Sequence, residues 1–194
     1  MKKREMVKLI RHFDTYFCQN DSLVLHPVTD DGLHIDVLLY RPSAKYPFWK
    51  LVTMGASDYQ MPAFQPTISR YNEYIMFLNE DEDLTDREVV SYYHSKLMMI
   101  ASYACENKQH ITFGHSLEWQ NQKADDDAVG AFVLFPELIE NSQILRCKVG
   151  RWKTVACLQT ILLDRRELDM LAEMGPQAFW NEYVYPPLEE ESDG

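Results

Sequence analysis

The chain has 194 residues, 46% hydrophobic and 12% aromatic, and its 19 basic and 30 acidic side chains leave a formal net charge of −11. This length and apolar content describe a folded chain able to bury about 70% of its unfolded surface, which excludes disorder as its general state. The acid excess excludes nucleic acid held through a broad positive field and disfavours an anionic membrane surface as partner.

Along the chain, Met6, Leu9, Ile10, Phe13 and Phe17 form the stripe of an amphipathic helix, with Lys2, Lys3, Lys8 and Arg11 on its other face. The run Leu33 to Tyr40 has strand character and is stopped by Arg41-Pro42. Trp49 to Met54 predicts a second strand, ended by Gly55, and Ala56 to Arg70 is irregular around Pro62 and Pro66. Glu73 to Leu78 predicts a third strand, buried on both faces. Thr85 followed by Glu88 has the spacing of a capping box, opening a helix whose face carries Val89, Tyr93, Leu97, Ile100, Ala101 and Ala104. Ile111 to Trp119 and Ala128 to Phe135 predict two more strands, and Thr154 to Leu163 a central one. Asp164 with Glu167 is a second capping box, Gly175-Pro176 ends that helix, and Phe179, Trp180 and Tyr183 pack a last short one. Strands with helices interposed unevenly predict an α+β class, with a mixed, mostly antiparallel sheet flanked by helices. One domain over 1–188 and an acidic, disordered tail over 189–194 complete the expected organisation.

The acid excess is local. Glu80, Asp81, Glu82 and Asp83 form one cluster, Asp125, Asp126 and Asp127 a second, and the tail adds Glu189, Glu190, Glu191 and Asp193. Those eleven carboxylates equal the net charge. Like-charge blocks of this kind are ordinarily solvated loops, and their sharper use is to steer a basic partner. Cys18, Cys105, Cys147 and Cys157 are widely spaced without a C-x-x-C pair, so neither a zinc finger nor a thioredoxin-like site is expected. Cys105 and Cys157 fall in apolar patterns and read as core. Lys8, Arg11 and His12 interrupt the start of the chain, and no apolar run approaches the ~20 residues of a membrane span. The expectation is a cytoplasmic protein with reduced thiols.

Nucleotide-binding glycine motifs are absent from the sequence. Gly55-Ala56-Ser57-Asp58-Tyr59 half-resembles a nucleophile elbow, but Tyr59 stands where a small residue is required, and a turn is the better reading. His34 and Asp36, two apart, share one face of a strand, whereas His115 and Glu118, three apart, do not. With no H-E-x-x-H, structural histidines are preferred to metal ligands, and no cofactor is expected. Asp36 is an acid in an apolar strand; its plain reading is an outward-facing position.

Four stretches resemble the suppressor of fused family, in its bacterial single-domain form. They are His34-Ile35-Asp36-Val37 followed by Leu51-Val52-Thr53-Met54-Gly55-Ala56-Ser57-Asp58; Arg70-Tyr71-Asn72-Glu73; Phe113-Gly114-His115-Ser116-Leu117; and Leu158 to Leu163 running into Arg166-Glu167-Leu168. The T-x-G-x-S-D piece is the most specific. Asn79-Glu80 departs from the Leu-Pro and tryptophan usual in the family, so the acidic loop is this chain's own. The resemblance implies a non-enzymatic α+β domain. It makes His34, Asp36, Thr53, Gly55, Ser57, Asp58, Gly114 and His115 scaffold residues, with no catalytic or metal role. It also implies a protein partner. Bacterial relatives are thought to act as immunity proteins, which suggests a basic toxin met by Glu80 to Asp83 and Asp125 to Asp127. Two alternatives stand beside it: an interaction module in a regulatory assembly, and a small hydrolase or metal enzyme using His34, Asp36, Ser57, Asp58 and His115.

Overall fold

The structure, a computed structural model, describes residues 1–27, 33–120 and 127–184. It divides into two compact units, residues 1–113 with 133–161 and residues 114–132 with those from 162 onward. The expectations for Asp125, Asp126 and the 189–194 tail lie outside the described residues.

The first unit opens with α1 (Lys3–Phe17), whose Leu9, Phe13 and Phe17 are completely buried, as the stripe requires. β1 (Leu23–Leu25), β2 (Asp36–Tyr40), β3 (Phe48–Met54) and β4 (Asn72–Asn79) follow as an antiparallel series. β8 (Thr154–Leu163) lies parallel to β4, pairing Asn72–Ile75 with Ala156–Gln159. β7 (Arg146–Lys148) pairs antiparallel with β8. Alternation places Leu38, Tyr40, Val52, Met54 and Ile75 with the α1 residues in one core, joined by Val155 and Cys157. The helix α2 (Arg87–Asn107) buries Leu97, Ile100, Ala101 and Ala104 and touches β3 and β4.

In the second unit, β5 (Ser116–Glu118) pairs antiparallel with β6 (Gly130–Leu134). α3 (Arg165–Met174) starts with the expected capping box: Glu167 N–H donates to Asp164 at 2.7 Å, and Asp164 N–H to Glu167 at 2.9 Å. Gly175, at φ 81°, leads into α4 (Pro176–Phe179) and a π-helical turn over Trp180–Val184. Phe179 meets Phe132 edge-on and stacks on Tyr183. Among the described residues the strand order is β1-β2-β3-β4-β8-β6-β5 with β7 on β8, a mixed, mostly antiparallel sheet of eight strands in an α+β fold.

Three expectations need correction. The N-cap of α2 is Asp86, which accepts from Glu88 and Val89 N–H, and not Thr85. Thr85 is spent elsewhere, because both its N–H and its hydroxyl donate to Asp83. Ile111 to Trp119 is extended as a strand only at Ser116–Glu118, since Gly114 takes φ 83° and turns the chain. Cys105 is only partly buried, whereas Cys157 is fully so; all four cysteines are free. No helix among the described residues is long and apolar enough to cross a membrane.

Lys50, on β3, is a completely buried cation. Its Nζ donates to Gln19 Oε1 and the Arg41 carbonyl, each at 2.8 Å, and to the Tyr46 carbonyl at 3.4 Å. Burial pushes its pKa down to about 8, with Asp21 opposing. The folded chain therefore releases this proton before the unfolded chain does. Stability gained from this group accrues as pH rises from about 8 toward the ordinary 10.5, and is lost as pH falls through 8. Lys50→Met is expected to remove that rise from urea-unfolding curves taken at successive pH values. Parent and variant curves that stay parallel across the window would locate its source elsewhere.

Candidate functional site

The T-x-G-x-S-D stretch closes around one side chain. The β3–β4 ladder ends at Val52–Ile75, and beyond it the backbone of β3 turns at Gly55, φ 133°, into a short 3₁₀ turn at Ala56–Asp58. Glu73 on β4, completely buried, takes over from the ladder. Its carboxylate accepts the Thr53 hydroxyl at 2.7 Å and the N–H groups of Gly55, Ala56 and Ser57 at 3.0, 3.2 and 3.1 Å. Thr53 Oγ1 in turn accepts Tyr74 N–H at 2.8 Å, tying the two strand ends. Successive N–H groups converging in this way make an anion-binding nest, and here the chain's own carboxylate fills it. Burial raises the Glu73 pKa, while hydrogen bonds from Thr53, Gly55 and Ser57 oppose the rise.

The same turn meets the first motif. A Cβ on Gly55 would lie 2.3 Å from the His34 carbonyl oxygen and 3.1 Å from Ile35 Cα, so only glycine lets the two backbones approach. Asp36, the first residue of β2, is engaged by two imidazoles: His26 Nδ1 at 2.8 Å and His34 Nε2 at 3.4 Å from its Oδ1. His26 follows β1 directly. Because Leu25 faces Val37 in the register, the next pair outward is His26 and Asp36. The outward, solvated reading of Asp36 is thereby corrected, for its side chain is 16% exposed and held by both histidines.

Ser57 is completely buried in the turn, so it offers no accessible nucleophile. Asp58 faces Lys153 Nζ at 3.6 Å, and Lys153 also pairs with Glu5 at 3.0 Å. Gly114 and His115 belong to the second unit, whereas His34, Asp36, Thr53, Gly55, Ser57 and Asp58 belong to the first. Glu80, Asp81 and Asp83 are exposed and Glu82 half-buried, in a tight turn closed by Glu82 N–H to the Asn79 carbonyl at 3.2 Å. Hydrogen bonds from Thr85 hold the Asp83 carboxyl below its usual range. Asp127 is exposed.

Two members of this region escaped sequence reasoning. Glu73 is a charged residue opening an apolar strand buried on both faces, and a buried charge demands partners. That demand was its available signal. His26 is linked to Asp36 only through pairing with a three-residue strand that sequence alone does not announce.

Known proteins share this fold. The sequence profile of suppressor of fused protein (SUFU) matches residues 31–189. No curated protein matches the chain by sequence. Among solved structures, the Sufu–Fu complex superposes with a TM-score of 0.64 at 15% identity, over 91% of this chain and 82% of that one. A SUFU homolog from Neisseria gonorrhoeae FA 1090 gives 0.64 at 11% identity, over 90% and 85%. Drosophila Suppressor of Fused gives 0.64 at 16% identity, over 91% of this chain but 46% of the fly protein. At these identities the superpositions establish the fold, and the profile establishes the kinship: the chain belongs to the suppressor of fused protein family.

Proposed function

We propose that this chain is a non-enzymatic protein-binding module of the cytoplasm that captures a basic protein, as an immunity protein captures its cognate toxin. The observation that carries the reading is the acidic turn after β4. Glu80, Asp81 and Asp83 are exposed there on a backbone fixed by the Glu82–Asn79 hydrogen bond and by Asp83 and Asp86 at the head of α2. Fixed like charges project a field without the entropy cost of ordering them on binding, and such fields speed encounter with a partner of opposite sign. Asp127 adds a further exposed carboxylate. Exposed aromatics supply anchors: Trp152 is 86% and Phe64 54% exposed. The relative in the Sufu–Fu complex engages a protein, in keeping with this role.

The test is affinity capture from the native cell, followed by kinetics on the captured species. The expected result is a basic protein retained at low salt, whose association with Glu80→Gln/Asp81→Asn slows severalfold while thermal unfolding is unchanged. Asp83 and Asp86 are left intact because they cap the turn and α2. Recovery of no basic protein at low or high salt would refute the reading, as would an association rate indifferent to the double substitution.

A further inference from the structure

We propose that His26, His34 and Asp36 form a binding site for one divalent first-row transition-metal ion of the Zn²⁺ type, held by two imidazoles and one carboxylate with a position left open to solvent. Backbone pairing brings the three together. His34 and Asp36 stand two apart at the entry to β2 and so project to one side, and the β1–β2 register sets His26 opposite Asp36. Their ligand atoms all lie within 4.8 Å of one another.

The distances suit a metal. Zn–N and Zn–O bonds of roughly 2.0–2.2 Å at tetrahedral angles place neighbouring ligand atoms about 3.3 Å apart. The observed 2.8 Å from His26 Nδ1 and 3.4 Å from His34 Nε2 to Asp36 Oδ1 bracket that separation. The third separation, between the two imidazole nitrogens, is within 4.8 Å, so binding requires the rings to turn toward one shared ion. The anchor and the entry route also fit. Asp36 is largely covered, at 16% exposure, and the backbone at His34, just ahead of β2, closely approaches Gly55. The imidazoles are 71% and 61% exposed, so an ion reaches them directly from water. The donor set of two nitrogens and one oxygen belongs to borderline metals, whose order of affinity favours Cu²⁺, Ni²⁺ and Zn²⁺ over Mg²⁺ or Ca²⁺. Sequence spacing hid the site, because the two histidines stand eight positions apart and no short ligand motif results. This inference stands independently of the protein-binding reading.

The experiment uses the tag-free full chain, stripped with a chelator and titrated with Co²⁺ as an optical probe, then with Zn²⁺ as competitor. The expected result is one equivalent of Co²⁺ with visible absorption of low-coordinate geometry, displaced by Zn²⁺, and a higher Tm in the presence of either ion. His26→Ala, His34→Ala and Asp36→Asn should each weaken Co²⁺ binding at least about tenfold, since even outer partners of a metal ligand are worth that much. His110→Ala, which removes a histidine bound to the Pro62 carbonyl outside the cluster, should leave binding unchanged. Circular dichroism identifies variants that retain the fold; His26 and His34 are exposed, so their removal should spare it. No uptake at millimolar Co²⁺ would overturn the proposal, and so would stoichiometric binding that survives in both histidine variants.

Discussion

Glu73→Ala is expected to destabilise the chain by about 3–5 kcal/mol in urea unfolding, among the largest losses available to a single substitution here. Four donors converge on this carboxylate, and truncation leaves them inside a region with no exposed surface at Glu73. Each buried donor without a partner costs about 1–3 kcal/mol, partly recovered if water enters the space vacated. Glu73→Gln keeps the volume and one acceptor oxygen but turns an NH₂ group toward N–H donors, so an intermediate loss is expected. The two variants also separate charge from shape. Burial holds the Glu73 pKa above its unfolded value, so the folded chain binds the proton more readily. The stabilisation linked to that proton is complete below the unfolded carboxylate value and disappears as pH rises through the folded one. Parent stability should therefore fall across that interval relative to Glu73→Gln, which has no proton to lose. A Glu73→Ala variant within about 1 kcal/mol of the parent would mean that water serves the nest as well as the carboxylate does.

Much of the fold was legible because its elements carry strong periodic signals. The stripe ending in Phe13 and Phe17 marks α1, and Asp164 with Glu167 marks the start of α3. β8 is an apolar run long enough to be recognised as central. Short strands were not legible for a physical reason. β1 has three residues and β7 is Arg-Cys-Lys, so neither offers enough alternation to outweigh its surroundings, and both exist because a neighbouring strand supplies hydrogen bonds. The Thr85 capping box failed through competition. Asp83 offered Thr85 a closer partner, and Asp86 was free to cap. The candidate site was legible as separate motifs, His34-x-Asp36 and Thr53-x-Gly55-x-Ser57-Asp58, but its connections were not. Glu73 reaches Thr53 and Gly55 through β3–β4 pairing, and His26 reaches Asp36 through β1–β2 pairing. Register is a long-range property, and one sequence carries no direct record of it.

Gly55→Ala is the second large effect, expected to cost at least about 3 kcal/mol, and its cause differs from that of Glu73. Two penalties combine. An alanine at φ 133° is strained by roughly 1–3 kcal/mol wherever it sits. Here its Cβ would also stand 2.3 Å from the His34 carbonyl oxygen, a backbone atom that cannot rotate away. Gly114→Ala isolates the first penalty, because Gly114 is at φ 83° with nothing within 4 Å of its would-be Cβ; it should lose only about 1–2 kcal/mol. Relief of the clash must move either the His34–Asp36 segment or the turn itself. Moving the turn withdraws Gly55 N–H from Glu73, and moving the segment shifts His34 relative to Asp36. The Gly55→Ala and Glu73→Ala losses should therefore fall short of additivity when combined, since the first already loosens the contacts that the second removes. Additive losses would make the close approach at Gly55 and the carboxylate nest separate devices that merely adjoin. A shortfall of about 1 kcal/mol or more would make them one node, in which the glycine permits the turn and the carboxylate holds it.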